Sequence, residues 1–246
     1  MAYLFIFRII VLIILYIIFY IGYVYCGLGS WWIKYTTKYF LKVANIRNVK
    51  INGEDKIQKL YEGDKKFIVV LNHRTVFDMW ITVMTNPNIC ILTSIPGAKI
   101  FPGMYTLNKK INSIIFDSTI KGQKVTDLIY DRISNRKPKD NMLVIYPDAM
   151  EPIPAGKNIA PFKTGAFRGK FDILPVVIKY KNATIDPTLH WYKGEHPVMC
   201  FSKVLLDGKC EVVADVMDLV SCQENMTVEE YRDYVYNLMN IRYNEL

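Results

Sequence analysis

A histidine and an aspartate five positions apart form the clearest chemical pattern in this sequence. His73 and Asp78 belong to segment 72–78, which reads NHRTVFD and follows an apolar run at 67–71. A carboxylate that orients one imidazole nitrogen leaves the other nitrogen free to accept a proton near neutral pH. The pair therefore predicts general-base catalysis.

The flanking residues predict how this pair is held. The run at 67–71 is typical of a buried strand, and open α/β sheets carry their chemistry where such strands end. On an ideal helix, residues five apart point about 140° away from each other. We therefore expect His73 in a turn and Asp78 in the first turn of the next helix, with its carboxylate reaching back to the imidazole. A strand-end histidine beside a helix-capping carboxylate, without chemistry, is the alternative.

Composition restricts the class of protein. The chain has 246 residues, a hydrophobic fraction of 51% and a formal charge of +8, which indicates one α/β domain, an apolar anchor and an anionic partner. The sequence has no zinc-finger spacing or RNA-binding aromatic signature, so we expect a membrane surface and no nucleic acid. The five scattered cysteines and the isolated pair His190 and His196 lack metal-ligand spacing, so we expect reduced thiols and no metal.

The apolar excess lies at the N-terminus. Residues 3–26 contain one charge, Arg8, over more than the roughly 20 residues that span a bilayer as a helix. A cleaved signal peptide would have a shorter apolar core of about 7–15 residues. Positive charge collects after this segment and favours a cytosolic catalytic domain. We expect a membrane anchor and interfacial helix over residues 1–45, spanning or re-entrant, and a catalytic α/β domain over residues 46–246.

Further elements are predicted along the chain. Helices are expected at 35–43 and 125–134 and after the capping box of Thr227 and Glu230. Strands are expected at 49–53, 89–92, 114–116 and 142–146. Residues 201–206 and 210–213 flank Asp207-Gly208 and predict a β-hairpin. Together these elements predict an α/β fold with a mostly parallel or mixed central sheet flanked by helices.

Four blocks, in order, resemble the glycerolipid acyltransferases of the lysophosphatidic acid acyltransferase type. Segment 72–78 resembles the H-x(4)-D motif with its leading Asn72. The strand at 114–116 precedes the position of an Asp-Arg pair, and residues 146–151 align with an F-P-E-G-T-R block. Residues 162–167 resemble F-K-x-G-A/S-F, which opens a helix in that family, and a strand containing Pro175 follows. The resemblance covers residues 45 to 180.

This resemblance implies an activity and site residues. Such enzymes move a fatty acyl chain from acyl-CoA, a co-substrate and not a cofactor, to the free hydroxyl of a lysophospholipid, lysophosphatidic acid above all. Their partners include membrane lipids, and some members enter one leaflet through an N-terminal helical hairpin. His73 is then the base and Asp78 its orienting partner. The resemblance also assigns substrate binding to the following residues: Asn72, Arg74, Ser118, Lys121, Asp148, Lys163, Gly165 and Pro175.

Several of these positions depart from the family or have a second interpretation. Ser118 and Glu151 replace arginines that hold the acceptor's phosphate, and Glu151 would repel that phosphate. Nearby cations could compensate: Lys157, Lys163, Arg168 and Lys170. Otherwise a zwitterionic lysolipid becomes a plausible acceptor. A solvated lysine is the alternative for Lys121 and Lys163, and close helix packing is the alternative for Gly165.

Three other functions stay open. The first is a tafazzin-like transacylase, which takes its acyl chain from another phospholipid. The second is a membrane esterase or lipase, although the sequence lacks a G-x-S-x-G elbow and no cysteine has a histidine beside it in sequence, so a covalent acyl-enzyme is not expected. The third is a lipid-binding protein without catalysis.

Overall fold

The computed structural model describes residues 2–99, 103–117, 119, 125–149, 151–190 and 193–246. The helices are α1 (Ala2–Tyr20), α2 (Ser30–Val43), α3 (Glu54–Glu62), α4 (Asp78–Thr85), α5 (Ile95–Ala98), α6 (Met104–Lys110), α7 (Val125–Ser134), α8 (Pro197–Asp207) and α9 (Val228–Glu245). The strands are β1 (Ile46–Asn52), β2 (Phe67–Leu71), β3 (Ile89–Ser94), β4 (Ile114–Phe116), β5 (Met142–Ile145), β6 (Asp172–Lys181) and β7 (Cys210–Val216).

Within these residues the strands form one seven-stranded sheet in the order β1-β7-β6-β2-β5-β3-β4. All neighbours pair in parallel except β6 and β7, so β1 and β7 run against the rest. The five residues of β2 are all buried at the centre. Their continuous apolar run reflects helices on both faces of the sheet. The predicted α/β class with a mixed sheet is confirmed.

Each face of the sheet has its own core. On one face α1, α2, α4 and α8 pack through buried side chains such as Leu41, Ile81 and Leu205. On the other face α7 and α9 contribute Ile129 and Val235. The capping box of Thr227 and Glu230 begins α9, as predicted. This arrangement fixes β2 rigidly and leaves its carboxyl end for the turn that follows.

Helix α1 packs against the domain along one side only. Leu12 and Phe19 are buried, and the Phe19 ring meets the Trp80 ring of α4 edge to face at 5.6 Å. The segment Phe5–Tyr25, which includes the π-helical turn Ile21–Tyr25, is long and apolar enough to cross a membrane by length and composition. Part of this apolar segment therefore shares the core of the α/β domain.

The predicted β-hairpin at 201–213 is wrong, because its first half is helix α8. Pro197 occupies the first turn of this helix and His196 caps it by accepting the Val198 N–H at 3.2 Å. Proline in the first helical turn was the missed signal. Gly208 ends the helix, where an added Cβ would lie 2.7 Å from the Val204 Cα. The buried residues of this helix, at 200, 204 and 205, recur at helical spacing and face the core.

The block at 162–167 also differs from expectation. Thr164–Phe167 forms a single 3-10 turn, and no longer helix opens here in the described chain. Lys170 adopts a left-handed φ of 49° and the chain enters β6 at Asp172. Buried Ala166 and Phe167 fasten the turn to the face covered by α9. The short distance to β6 leaves no room for a second helical turn.

Candidate active site

The turn after β2 is fastened to the sheet by Asn72. Its side-chain amide donates to the Ile178 carbonyl at 2.9 Å and accepts the Ile178 N–H at 2.8 Å. The side chain thus imitates one more step of the ladder between β2 and β6. Asn72 is fully buried, and the substrate contact predicted from its place in the motif stays a prediction. Its role is to orient the residue that follows.

His73 and Asp78 meet as the sequence predicts. His73 lies in the turn, Asp78 is the first residue of α4, and the imidazole Nδ1 is 2.8 Å from Asp78 Oδ2. The Asp78 carboxylate is completely buried, whereas 23% of the His73 side chain is exposed. The contact engages Nδ1, so Nε2 is the nitrogen left to exchange a proton.

Three further donors hold the Asp78 carboxylate. Oδ2 accepts the backbone N–H groups of Arg74 and Thr75 at 2.5 and 2.8 Å. Oδ1 accepts the Tyr180 hydroxyl from β6 at 2.7 Å. Burial and the nearby Asp78 charge raise the pKa of Tyr180, so this tyrosine stays a neutral donor. These hydrogen bonds give the buried carboxylate oxygens partners in place of water.

The imidazole also has an aromatic support. The His73 ring stacks on the Tyr146 ring at a centroid distance of 4.5 Å. The Tyr146 hydroxyl lies 2.8 Å from Thr82 Oγ1 on α4, and burial raises the pKa of Tyr146 well above its ordinary value. Tyr146, which directly follows β5, therefore supports the imidazole plane, and Thr82 of α4 holds the Tyr146 hydroxyl.

Asp148 lies beneath the same turn. Its Oδ2 accepts the His73 backbone N–H at 2.7 Å, and its Oδ1 has no hydrogen-bond partner within the described residues. The residue is 1% exposed. Burial raises the pKa of its carboxyl from 3.8 to about 7, against the opposing influence of His73. The predicted substrate contact for Asp148 stays a prediction, and the contact that the structure shows is with the backbone of His73.

The loop after β5 carries the largest departures from the family. Ala149, which stands where the family has glycine, adopts a left-handed φ of 45°, a conformation that strains residues other than glycine. Glu151 forms an ion pair with Lys163 at 2.9 Å, and both side chains are largely exposed. The negative charge at 151 is thus paired with the cation expected to contact substrate.

Two of the remaining predicted cations have other partners. Lys157 lies over the Tyr236 ring at 6.0 Å, and Lys170 donates to the Met226 carbonyl at 2.6 Å. Both contacts point to the C-terminal part of the chain. Ser118 and Lys121 lie outside the described residues, so their predicted contacts are untested.

The last three predicted substrate-binding residues have different surroundings: Arg74, Gly165 and Pro175. The Arg74 guanidinium donates to the Asn158 carbonyl, the Tyr243 hydroxyl and Thr188 Oγ1 at 3.0, 3.0 and 3.1 Å, which ties it to protein groups. An added Cβ at Gly165 would meet nothing within 4 Å, so close packing does not explain this glycine. Pro175 is buried in β6 beside Val70, roughly 10 Å along the strand direction from His73. Its predicted substrate contact stays a prediction.

Sequence reasoning missed Tyr180 and the aromatic role of Tyr146. Tyr180 stands 102 positions from Asp78, and no local motif marks it. The parallel pairing of β2 with β6 carries it to the carboxyl end of β2. Within the described residues no group of three or more His, Cys, Asp or Glu side chains is arranged to hold a metal ion.

Known proteins share both the sequence pattern and the fold. Residues 48–179 match the profile of the family described as Acyltransferase. The 1-acyl-sn-glycerol-3-phosphate acyltransferase of Saccharomyces cerevisiae is 25% identical over 144 residues, 57% of this chain and 46% of that protein. The match thus spans about half the length of the yeast protein. The crystal structure of the 1-acyl-sn-glycerophosphate (LPA) acyltransferase PlsC from Thermotoga maritima superposes with a TM-score of 0.60, at 18% identity, over 98% of this chain and 96% of that one.

Proposed function

The chain belongs to the acyltransferase family, and we propose that it transfers a fatty acyl chain from acyl-CoA to the free hydroxyl of lysophosphatidic acid, giving phosphatidic acid. The observation that carries the proposal is the hydrogen bond between His73 Nδ1 and the buried Asp78 carboxylate. The proposal is supported by the similarity to the yeast 1-acyl-sn-glycerol-3-phosphate acyltransferase.

The chemistry follows from what an alcohol needs to attack a thioester. Its pKa is far above 7, so a base must accept its proton as the C–O bond forms. His73 Nε2 takes that proton, and Asp78 stabilises the imidazolium that results. Collapse of the tetrahedral intermediate breaks the C–S bond, and the imidazolium returns the proton to the coenzyme A sulfur. Atoms and charge balance without a covalent acyl-enzyme.

The acceptor's phosphate would lie near the loop after β5. Lys163 is an exposed cation there, and its pairing with Glu151 at 2.9 Å reduces the repulsion expected from the reversed charge. Lysophosphatidic acid therefore stays the leading acceptor. A zwitterionic lysolipid, with its cationic headgroup beside Glu151, is the second candidate because this carboxylate is exposed.

The enzyme would act from the surface of a membrane. Large apolar side chains along one side of α1 are exposed: Ile6, Phe7, Ile10, Ile13, Ile14, Ile17 and Ile18. The opposite side packs on the domain through Leu12 and Phe19. A helix that is buried on one side and apolar on the other fits insertion into one leaflet beside the domain. We propose that this face keeps the site at the depth of the glycerol hydroxyl, with the domain in the cytosol.

The test is acyl transfer by the purified chain in phospholipid vesicles. Labelled acyl-CoA is offered with lysophosphatidic acid, lysophosphatidylcholine or lysophosphatidylethanolamine, and products are separated by thin-layer chromatography. We expect phosphatidic acid as the main product and loss of product in His73→Ala, whose folding is checked by thermal unfolding. Product that forms only from a phospholipid donor would indicate a transacylase. Absence of any product would favour a lipid-binding protein.

A further inference from the structure

A second concave site lies apart from the turn that carries His73. A cavity of about 690 Å³ opens between α1, α2 and the start of β1, and none of its lining residues belongs to segment 72–78. Its apolar wall includes Phe7 and Val11 from α1 and Leu41 from α2. This volume is within the roughly 300–1,000 Å³ typical of sites for small ligands.

Four cations line this cavity: Arg8, Lys38, Lys42 and Arg47. None of them forms an ion pair with a carboxylate in the part of the chain that the structure describes. Lys38 and Lys42 are four residues apart on α2, where like charges repel. An anion bound between them would relieve that repulsion.

The neighbouring polar groups leave the positive charge largely uncompensated. Arg8 donates to the Leu205 carbonyl at the end of α8 at 2.8 Å, which positions its guanidinium without neutralising it. Glu211 stands opposite Arg47 in the pairing of β1 with β7, and its carboxylate accepts from Asn48 and Asn182. One acid beside four cations leaves a net positive site.

We propose that this cavity binds one anionic phospholipid, with its phosphate among the four cations and an acyl chain along α1. The occupant is a membrane lipid because the cavity continues into the exposed apolar face of α1: Phe7 belongs to both and is 63% exposed, and Ile6 and Ile10 lie beside it. A phosphate requires cationic donors, and the chain requires the apolar wall. The site therefore recognises anionic membranes and holds α1 in position.

The test measures lipid binding, so it is independent of catalysis. The full chain in detergent is titrated with phosphatidylglycerol or phosphatidylcholine, and bound lipid is counted by native mass spectrometry. We expect one phosphatidylglycerol per chain and much weaker binding of phosphatidylcholine. Binding of phosphatidylcholine with equal affinity, or displacement of phosphatidylglycerol by inorganic phosphate, would overturn the proposal.

Matched variants distinguish lipid binding in the cavity from general electrostatic attraction to the positively charged chain. Lys38→Gln/Lys42→Gln/Arg47→Gln removes three charges at the cavity, and Lys59→Gln/Lys137→Gln/Lys139→Gln removes three exposed charges elsewhere. Since each basic group near an anionic surface strengthens binding about fivefold, the first variant should bind at least tenfold more weakly and the second within twofold of wild type. Equal weakening in both would contradict a specific site.

A third variant tests the apolar wall without changing charge. Val11→Trp should fill space beside Phe7 and weaken phosphatidylglycerol binding at least tenfold, while thermal unfolding shows that the chain remains folded. Unchanged binding in Val11→Trp would mean that the cations act on a membrane surface and not through this cavity, which would refute the proposal.

Discussion

At the level of single residues, the site depends on a carboxylate that accepts four hydrogen bonds, from His73, Arg74, Thr75 and Tyr180. Asp78→Asn would place an amide against donors that need an acceptor. Since base catalysis contributes about 10²–10⁴ in rate, we expect kcat/KM to fall at least 100-fold, nearly as far as in His73→Ala. The unfolding free energy should also fall, by about 1–3 kcal/mol. Activity of Asp78→Asn within tenfold of wild type would refute the orienting role of Asp78. Asp140→Asn, an Asp→Asn change away from the site, is the control.

Asp148 predicts a pH dependence of stability. Its pKa is about 7 in the folded chain and 3.8 as the ordinary value, so between these values the folded chain binds the proton more tightly than the unfolded chain. The stabilisation is complete below about pH 4 and is lost as pH rises through 7. Asp148→Asn keeps an acceptor for the His73 N–H and removes this titration.

Urea unfolding at pH 5 and pH 7.5 checks this prediction. Relative to Asp148→Asn, the wild type should lose unfolding free energy on the order of a few kcal/mol between the two pH values, because each pKa unit corresponds to about 1.4 kcal/mol. Parallel pH profiles for the two proteins would show that this carboxyl does not titrate in the window.

At the level of elements, Arg74 joins the turn that carries His73 to α9. Its guanidinium binds the Tyr243 hydroxyl, the Asn158 carbonyl and Thr188. Hydrogen bonds to charged groups are worth about 1.5–3 kcal/mol, so Arg74→Ala should lower the unfolding free energy by about 2 kcal/mol. If Arg74 instead holds substrate, as its place in the motif implies, KM for the acceptor rises while the thermal midpoint stays unchanged.

The loop after β5 sets a second prediction at this level. Glu151→Gln frees Lys163 from its ion pair, so kcat/KM for lysophosphatidic acid should rise and that for lysophosphatidylcholine should not. Exposed pairs contribute about 0.2–1 kcal/mol, which limits the gain to roughly fivefold. Lys163→Gln is the matched variant and should lower the rate with lysophosphatidic acid. Equal changes in kcat/KM for both acceptors would show that this loop does not influence which acceptor is used.

At the level of the whole molecule, the membrane role proposed for α1 predicts that its buried and exposed faces can be altered separately. Ile10→Ser/Ile14→Ser/Ile17→Ser alters only exposed side chains and should weaken vesicle binding without lowering the thermal midpoint. Phe19→Ala removes a buried ring packed on Trp80 and should cost about 3–5 kcal/mol of stability. Vesicle flotation and thermal unfolding of both variants test this division. Equal destabilisation by the two variants would contradict it.

The sequence alone determined the central strand, the spacing of His73 and Asp78, and the contact between them. These features are local: a continuous apolar run indicates a strand buried on both faces, and a separation of five residues forces one partner into the turn. The apolar N-terminal helix and the capping box of α9 are local in the same sense. The prediction from sequence failed at α8, because a short apolar run can belong to a helix or to a strand.

Only the tertiary structure decided which residues surround that pair. Tyr180, Tyr146 and Asp148 reach it because the pairing of β2 with β5 and β6 brings distant segments to one edge of the sheet. The same pairing gives Asn72 its two hydrogen bonds to Ile178, a structural contact that its place in the motif did not predict. Position in a motif does not reveal where a side chain finds its hydrogen-bond partners. Those partners are set by strand order and burial, which act over separations that no local pattern encodes.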